Sequence, residues 1–130
     1  MQKKYALVFA FAFILNLMWE YFHSALYSAY QGGAITDFVL WEATFLDALM
    51  ILILVLVADK FEWSQTATVI IGGLLLSFII EIWALQTGRW QYNELMPIVP
   101  VLNVGLTPFI QLGLTGLLTQ KLCQFVKVNI

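Results

Sequence analysis

The sequence predicts an all-α, polytopic membrane protein: a four-transmembrane-helix bundle, residues 1–130 as one integral membrane domain, with both termini cytoplasmic. Three observations carry that expectation. Of the 130 residues, 62% are hydrophobic and only 11% charged, well under the charged fraction of an average soluble domain. The apolar residues fall into four runs bounded by turn residues, each long enough to cross a bilayer. The lysines all fall on one side of the resulting topology.

The first run, about 5–27, follows Lys3 and Lys4. It is longer than the apolar region of a signal peptide, contains Asn16 and Glu20, and has no small-x-small cleavage site, so it reads as a retained span. Gln31-Gly32-Gly33 breaks the chain before the second span, about 38–57, and Asp59 to Ser64 breaks it before the third, about 66–86. Gly88 is placed to cap the third helix. The fourth span covers about 104–126, and Thr107-Pro108 reads as an N-cap followed by an N1 proline. The apolar stretch 96–106 then has two readings, a lid folded over the bundle or a proline-rich connection at headgroup level. Gly72, Gly73, Gly105, Gly113 and Gly116 suit close packing of helices.

Lys3, Lys4, Lys60, Lys121 and Lys127 lie on the tails and the second connection, and only Arg89 lies on the opposite side. The positive-inside rule makes the lysine side cytoplasmic, which in a bacterium means a multi-pass protein of the cell inner membrane. A net charge of −2 offers no basic field, so nucleic acid is not an expected partner. The single cysteine, Cys123, excludes an intrachain disulfide, a CxxC motif and a cysteine-based metal site.

The polar residues within the spans gather at one level. Glu20 and His23, Glu42 and Asp47, Glu81, and the group Asn103, Thr107 and Gln111 all fall in the outer halves of their helices, while the inner halves of the first three spans hold no ionisable group. Ionisable groups at membrane depth are costly, face the bundle interior and mark function. Asn16, Glu20, His23 and Tyr27 share one helical face, as do Gly73, Ser77 and Glu81, and Asn103, Thr107 and Gln111. Glu42 and Asp47, five residues apart, cannot share a face; the deeper Asp47 is the interior candidate and Glu42 the interfacial one. Eight of the ten Trp and Tyr residues, all but Tyr5 and Trp63, lie in or beyond the outer half. An aromatic belt would be more even, which leaves some rings to line a pocket.

Three chemistries fit this pattern. Glu20-x-x-His23 has the spacing of helix-borne carboxylate-metal motifs, and a single divalent metal on Glu20, His23, Asp47 and Glu81 would suit Zn, Mn or Fe; the other reading of Glu20 and His23 is a hydrogen-bonded structural pair. Metal-free acid/base catalysis would use the same four residues, on a lipid or isoprenoid from the outer leaflet. Asn16, Arg89, Trp90, Tyr92, Asn103 and Gln111 are the expected substrate-binding residues. Arg89 would hold a phosphate or carboxylate headgroup, unless it pairs with Glu81 or Glu94. The third reading is a homo-oligomer, or a non-catalytic subunit or transporter component whose polar face a partner chain completes.

Glu81 followed by Gly88-x-Trp90-x-Tyr92 resembles the motif style of the membrane-bound lycopene cyclase domain group, small carotenoid enzymes whose acidic residues act on apolar isoprenoids. The resemblance is confined to 81–92, and the Pro-x-Glu-Glu motif of those cyclases is absent. It implies a proton-donating role for Glu81 and places Trp90 and Tyr92 near substrate. The longer pattern Thr-Gly-Arg-Trp-x-Tyr, Met-Pro-x-x-Pro, Gly-Leu-x-Pro-x-x-Gln is similar to small four-span bacterial membrane proteins and implies no activity.

Overall fold

The computed structural model describes residues 2–126; Lys127, one of the lysines behind the expected orientation, lies outside them. Four long helices follow in order: α1 (Gln2–His23), α2 (Asp37–Lys60), α3 (Gln65–Thr87) and α4 (Leu106–Phe125). The first three are long and apolar enough to cross a membrane. The fourth is shorter, at 20 residues, and buries Gln111, Thr115, Thr119 and Gln120 along its length.

Each helix starts and stops for local reasons. Thr36 caps α2, its hydroxyl accepting from the Val39 amide, and Ser64 caps α3 by accepting from the Ala67 amide. Gly88 ends α3 in the left-handed conformation at φ 71°, as expected, which a side chain would strain. The start of α4 departs from expectation. Its N-cap is Gly105, with no side-chain cap, and Thr107 already lies inside the helix. The Thr107 hydroxyl is instead directed at Met96 and His23, so a tertiary contact has displaced the local cap.

Successive helices run antiparallel. Near the chain termini, Lys4 of α1 meets Asp59 of α2 at 2.6 Å and Thr66 of α3 donates to Gln120 of α4 at 2.9 Å. The helices pack in a ring, α1 on α2, α2 on α3, α3 on α4 and α4 on α1. The hydrophobic core, with Val8, Ala12, Ala48, Ile51, Val69 and Leu112, runs from the middle of the bundle to this end, where Thr115, Thr119 and Gln120 of α4 are buried beside it. Here the ring is tight. Leu54 of α2 lies against Gly72 of α3, and at the α3–α4 crossing a Cβ on Gly73 would stand 2.6 Å from the Gly113 nitrogen, so the small residues permit backbone-to-backbone approach.

The other end carries an element that an all-α fold does not contain. Helix α1 stops at His23, passes through a single 3-10 turn (Ser24–Leu26), and continues as strand β1 (Tyr27–Tyr30). Strand β2 (Trp90–Tyr92) pairs with it antiparallel, Tyr30 opposite Trp90 and Tyr27 opposite Tyr92. The first span therefore ends short of Tyr27. Segment 96–106 folds on itself: Val99 N donates to Val104 O at 2.8 Å and Leu106 N to Pro97 O at 2.7 Å. Met96 and Val104 are tucked in, whereas Val101 at the tip is 92% exposed.

Candidate functional site

Three helices deliver polar side chains to one point in the half of the bundle near the strands. Asn16, Glu20 and His23 are all buried on α1, as their i, i+4, i+7 spacing requires. Gln111 approaches from α4. Its amide nitrogen carries two hydrogens and is ringed by three oxygens: Glu20 Oε1 and Asp47 Oδ2, each at 2.8 Å, and Asn16 Oδ1 at 3.0 Å. Asn16 is steadied by its own amide, which donates to Ala12 O at 2.8 Å. Thr115, one turn along α4, donates to Gln111 O at 2.7 Å and lies 3.2 Å from Asn16 Oδ1.

His23 extends the network. Its Nδ1 lies 3.0 Å from Thr107 Oγ1 and its Nε2 lies 3.2 Å from Glu20 Oε2. Nδ1 thus faces the Thr107 hydroxyl, which also reaches the Met96 sulfur, and Nε2 faces the Glu20 carboxyl, so the ring tautomer decides which of the two bonds the imidazole donates. The ring is held edge-on by Trp19 and Tyr27, with centroids 6.3 and 5.2 Å away.

Glu81, buried on α3 with Gly73 and Ser77, is held separately. Trp90 Nε1 donates to its Oε2 at 3.1 Å and the Tyr92 hydroxyl makes a short bond to the same oxygen. Tyr92 in turn accepts from Gly105 N at 2.9 Å. Burial, reinforced by the neighbouring Glu81 carboxylate, holds the Tyr92 phenol well above its ordinary pKa. Among the described residues, the second oxygen, Glu81 Oε1, has no hydrogen-bond partner.

These groups form the inner end of a cavity of about 370 Å³. Its side walls come from α2 and α3, including Val39, Leu46, Met50 and Ile80, and its roof from the strand pair through Tyr27, Tyr30 and Trp90. Glu20, His23, Asp47, Glu81 and Gln111 all line it. Because α2 and α3 touch closely toward the terminal end, at Leu54 and Gly72, and the cavity lies between their opposite halves, it is a lateral cleft that faces whatever surrounds the bundle. Four of the clustered aromatic residues, Tyr27, Tyr30, Trp83 and Trp90, line it; Trp41 and Tyr21 face outward.

The structure thus brings together Asn16, Glu20, His23, Asp47 and Gln111, with Glu81 and Trp90 as a second group on the same cavity and Tyr92 behind them on Glu81. Asn103 does not join them. It is exposed and its φ of 59° places it in a left-handed turn before α4, so the helical register that aligned it with Thr107 and Gln111 does not exist. Arg89 pairs with neither Glu81 nor Glu94; its guanidinium lies 5.5 Å from the Tyr30 ring centroid and 5.6 Å from that of Trp83. Among the described residues no three His, Cys, Asp or Glu side chains are grouped to hold a metal ion, and where Glu20 and Asp47 converge the Gln111 amide supplies a donor rather than a ligand. Thr107 shares the polar face with Gln111 as expected; its contact with His23 joins helices α4 and α1, which spacing along one helix does not specify. Ser77 was placed on the Glu81 stripe and does line the cavity.

Comparison of the chain with protein-family models, with curated proteins and with solved structures finds no match.

Proposed function

We propose that this chain is a four-span integral membrane protein, termini in the cytoplasm, whose lateral cleft in the outer leaflet binds a lipid or isoprenoid and converts it by acid/base chemistry. The observation that carries this reading is the composition of the cleft along its depth: apolar side walls from α2 and α3, ending on Glu20, His23, Asp47 and Glu81. An apolar pocket with a few convergent polar groups is the usual form of a small-molecule site. Carboxyls beside a histidine in a site shielded from water are suited to proton transfer. The lysines near the chain termini and their absence at the strand end support the orientation.

In this reading Glu81, with one oxygen held by Trp90 and Tyr92 and the other unengaged, exchanges a proton with the bound molecule. The His23–Glu20 pair takes up or returns the second proton. A cycle that delivers one proton and recovers one leaves the protein unchanged and isomerises the ligand. Asp47 and Gln111 keep Glu20 in place.

Native mass spectrometry of the protein released from membranes tests the reading. Wild type and Glu81→Gln, both still folded by circular dichroism, should carry a lipid or isoprenoid adduct of the same mass, and chromatography of the released lipid should show a different isomer composition in the variant. No adduct in wild type, or an identical isomer composition in both, would favour instead a subunit whose polar face another chain completes.

A further inference from the structure

The lysines Lys3, Lys4, Lys60 and Lys121 belong to the terminal end of the bundle; Arg89, at the strand end, is the basic side chain farthest from them in the topology. Its backbone is fixed on both sides, Arg89 N donating to Ala84 O at 2.9 Å and Arg89 O accepting from Gln31 N at 2.7 Å. Among the described residues, no carboxylate lies within salt-bridge distance of the guanidinium and no oxygen accepts a hydrogen bond from it. The rings of Tyr30 and Trp83 position it instead. Neither contact is a hydrogen bond to an oxygen, so the N–H groups of the guanidinium, the set that grips an oxyanion, have no protein oxygen as partner among the described residues. Arg89 is a wall both of the lateral cleft and of a shallower hollow lined by Gln31, Trp83 and Thr87.

We infer that the ligand of the cleft is a phosphate-headed lipid, its headgroup on Arg89 at the rim and its chain running inward between α2 and α3. This rests on the reading of the cleft as a lipid site. The charge layout sets the polarity of binding. Glu20, Asp47 and Glu81 occupy the inner end and Arg89 the roof near the strands, so an anionic head driven inward would meet carboxyls, while one left at the rim meets the cation. Glu42, exposed and also on the cleft wall, opposes the anion only weakly through water. The consequence concerns the chemistry: the atoms presented to Glu81 belong to the chain, not to the phosphate. The substrate class is therefore a lipid phosphate reacting at a carbon of its chain, with the phosphate retained.

The full chain in phosphatidylcholine nanodiscs, with the outward-facing Trp41, Trp63 and Trp83 and also Trp19 replaced by Phe, can report this through quenching of Trp90, half-buried on the cleft, by brominated-chain lipids. Brominated phosphatidic acid should quench at about tenfold lower mole fraction than brominated diacylglycerol of the same chains, as expected for a charge-assisted contact. Arg89→Gln should remove that preference and leave quenching by the neutral lipid intact, which also shows that the cleft has folded; Arg89→Lys should retain part of it. Equal quenching by the two lipids in wild type, or a preference that survives in Arg89→Gln, overturns the headgroup assignment alone. Absence of quenching by either lipid overturns the lipid-binding reading itself. Inorganic phosphate that relieves quenching by brominated phosphatidic acid and leaves that by diacylglycerol unchanged would support a phosphate contact at Arg89; phosphate that relieves both equally would overturn it.

Discussion

Gln111 Nε2 stands 2.8 Å from Glu20 Oε1, so a neutral amide on the last helix holds the first helix's buried carboxyl. The same nitrogen reaches Asp47 on the second. A single uncharged side chain thereby ties three helices at the inner end of the cleft, and its removal is the most direct probe of the cluster. Gln111→Leu keeps the size and deletes the donor, leaving two buried carboxyls short of a partner. The variant should lose about 1–3 kcal/mol of stability, read from denaturant unfolding in detergent. A change too small to measure would mean that water replaces the amide and that the cluster is not closed by α4.

The contact between α3 and α4 makes a second prediction. A methyl at Gly73 would overlap the Gly113 backbone, and neither chain can give way as a side chain would. Gly73→Ala should therefore destabilise by about 1–3 kcal/mol in the same unfolding assay, whereas Gly33→Ala, whose nearest atom would be Tyr30 O at 3.7 Å, should be close to neutral. Equal behaviour of the two would place the α3–α4 crossing elsewhere.

The Thr107 hydroxyl, 3.0 Å from His23 Nδ1, is placed to bias which ring nitrogen carries the proton. Thr107→Val removes the oxygen 3.0 Å from Nδ1 and should shift the imidazole tautomer balance, seen in nitrogen chemical shifts of labelled histidine. Thr107→Ser should keep the wild-type pattern. His23 is the one histidine in the chain, so the assignment is unambiguous. Identical spectra for Val and Thr at this position would remove Thr107 from the network.

Tyr92 carries a pH dependence. Its phenol ionises higher in the folded chain than in the unfolded one, because it is buried against Glu81. The unfolded chain releases that proton first, so the stabilisation is complete below about pH 10, the ordinary tyrosine value, and is lost as pH rises beyond it toward the folded value. Unfolding measured across this range should show wild type weakening with rising pH more steeply than Tyr92→Phe. Parallel slopes would mean that the phenol is solvated in the folded state.

The four helices and the depth of the polar level were legible because both rest on short-range spacing. Asn16, Glu20 and His23 lie on one face by helical geometry alone, and the costs of burying them direct that face inward. Tyr27 continues the same spacing, yet it belongs to a strand. Nothing within Tyr27-Ser-Ala-Tyr30 distinguishes strand from helix, and its partner Trp90-Gln-Tyr92 lies far along the chain. The same holds for Gln111, legible as polar on the fourth helix but not as the donor shared by two carboxyls, since that depends on how α4 sits against α1 and α2. Asn103 illustrates the converse error: a periodicity extended past the point where the backbone turns left-handed.

The strand pair has one more consequence. Helices α1 and α2 form one helical hairpin and α3 and α4 another, each bonded within itself near the chain termini by Lys4–Asp59 and Thr66–Gln120. Among the described residues, every backbone hydrogen bond between the two hairpins lies in the ladder or at its ends, as in Gln31 N to Arg89 O and Asn93 N to Leu26 O. The ladder is a backbone clasp across two hairpins that also share the Gln111 cluster and one apolar core. Amide exchange in 27–31 and 90–93 therefore reports whether that clasp is closed, separately from the packing that protects the helices.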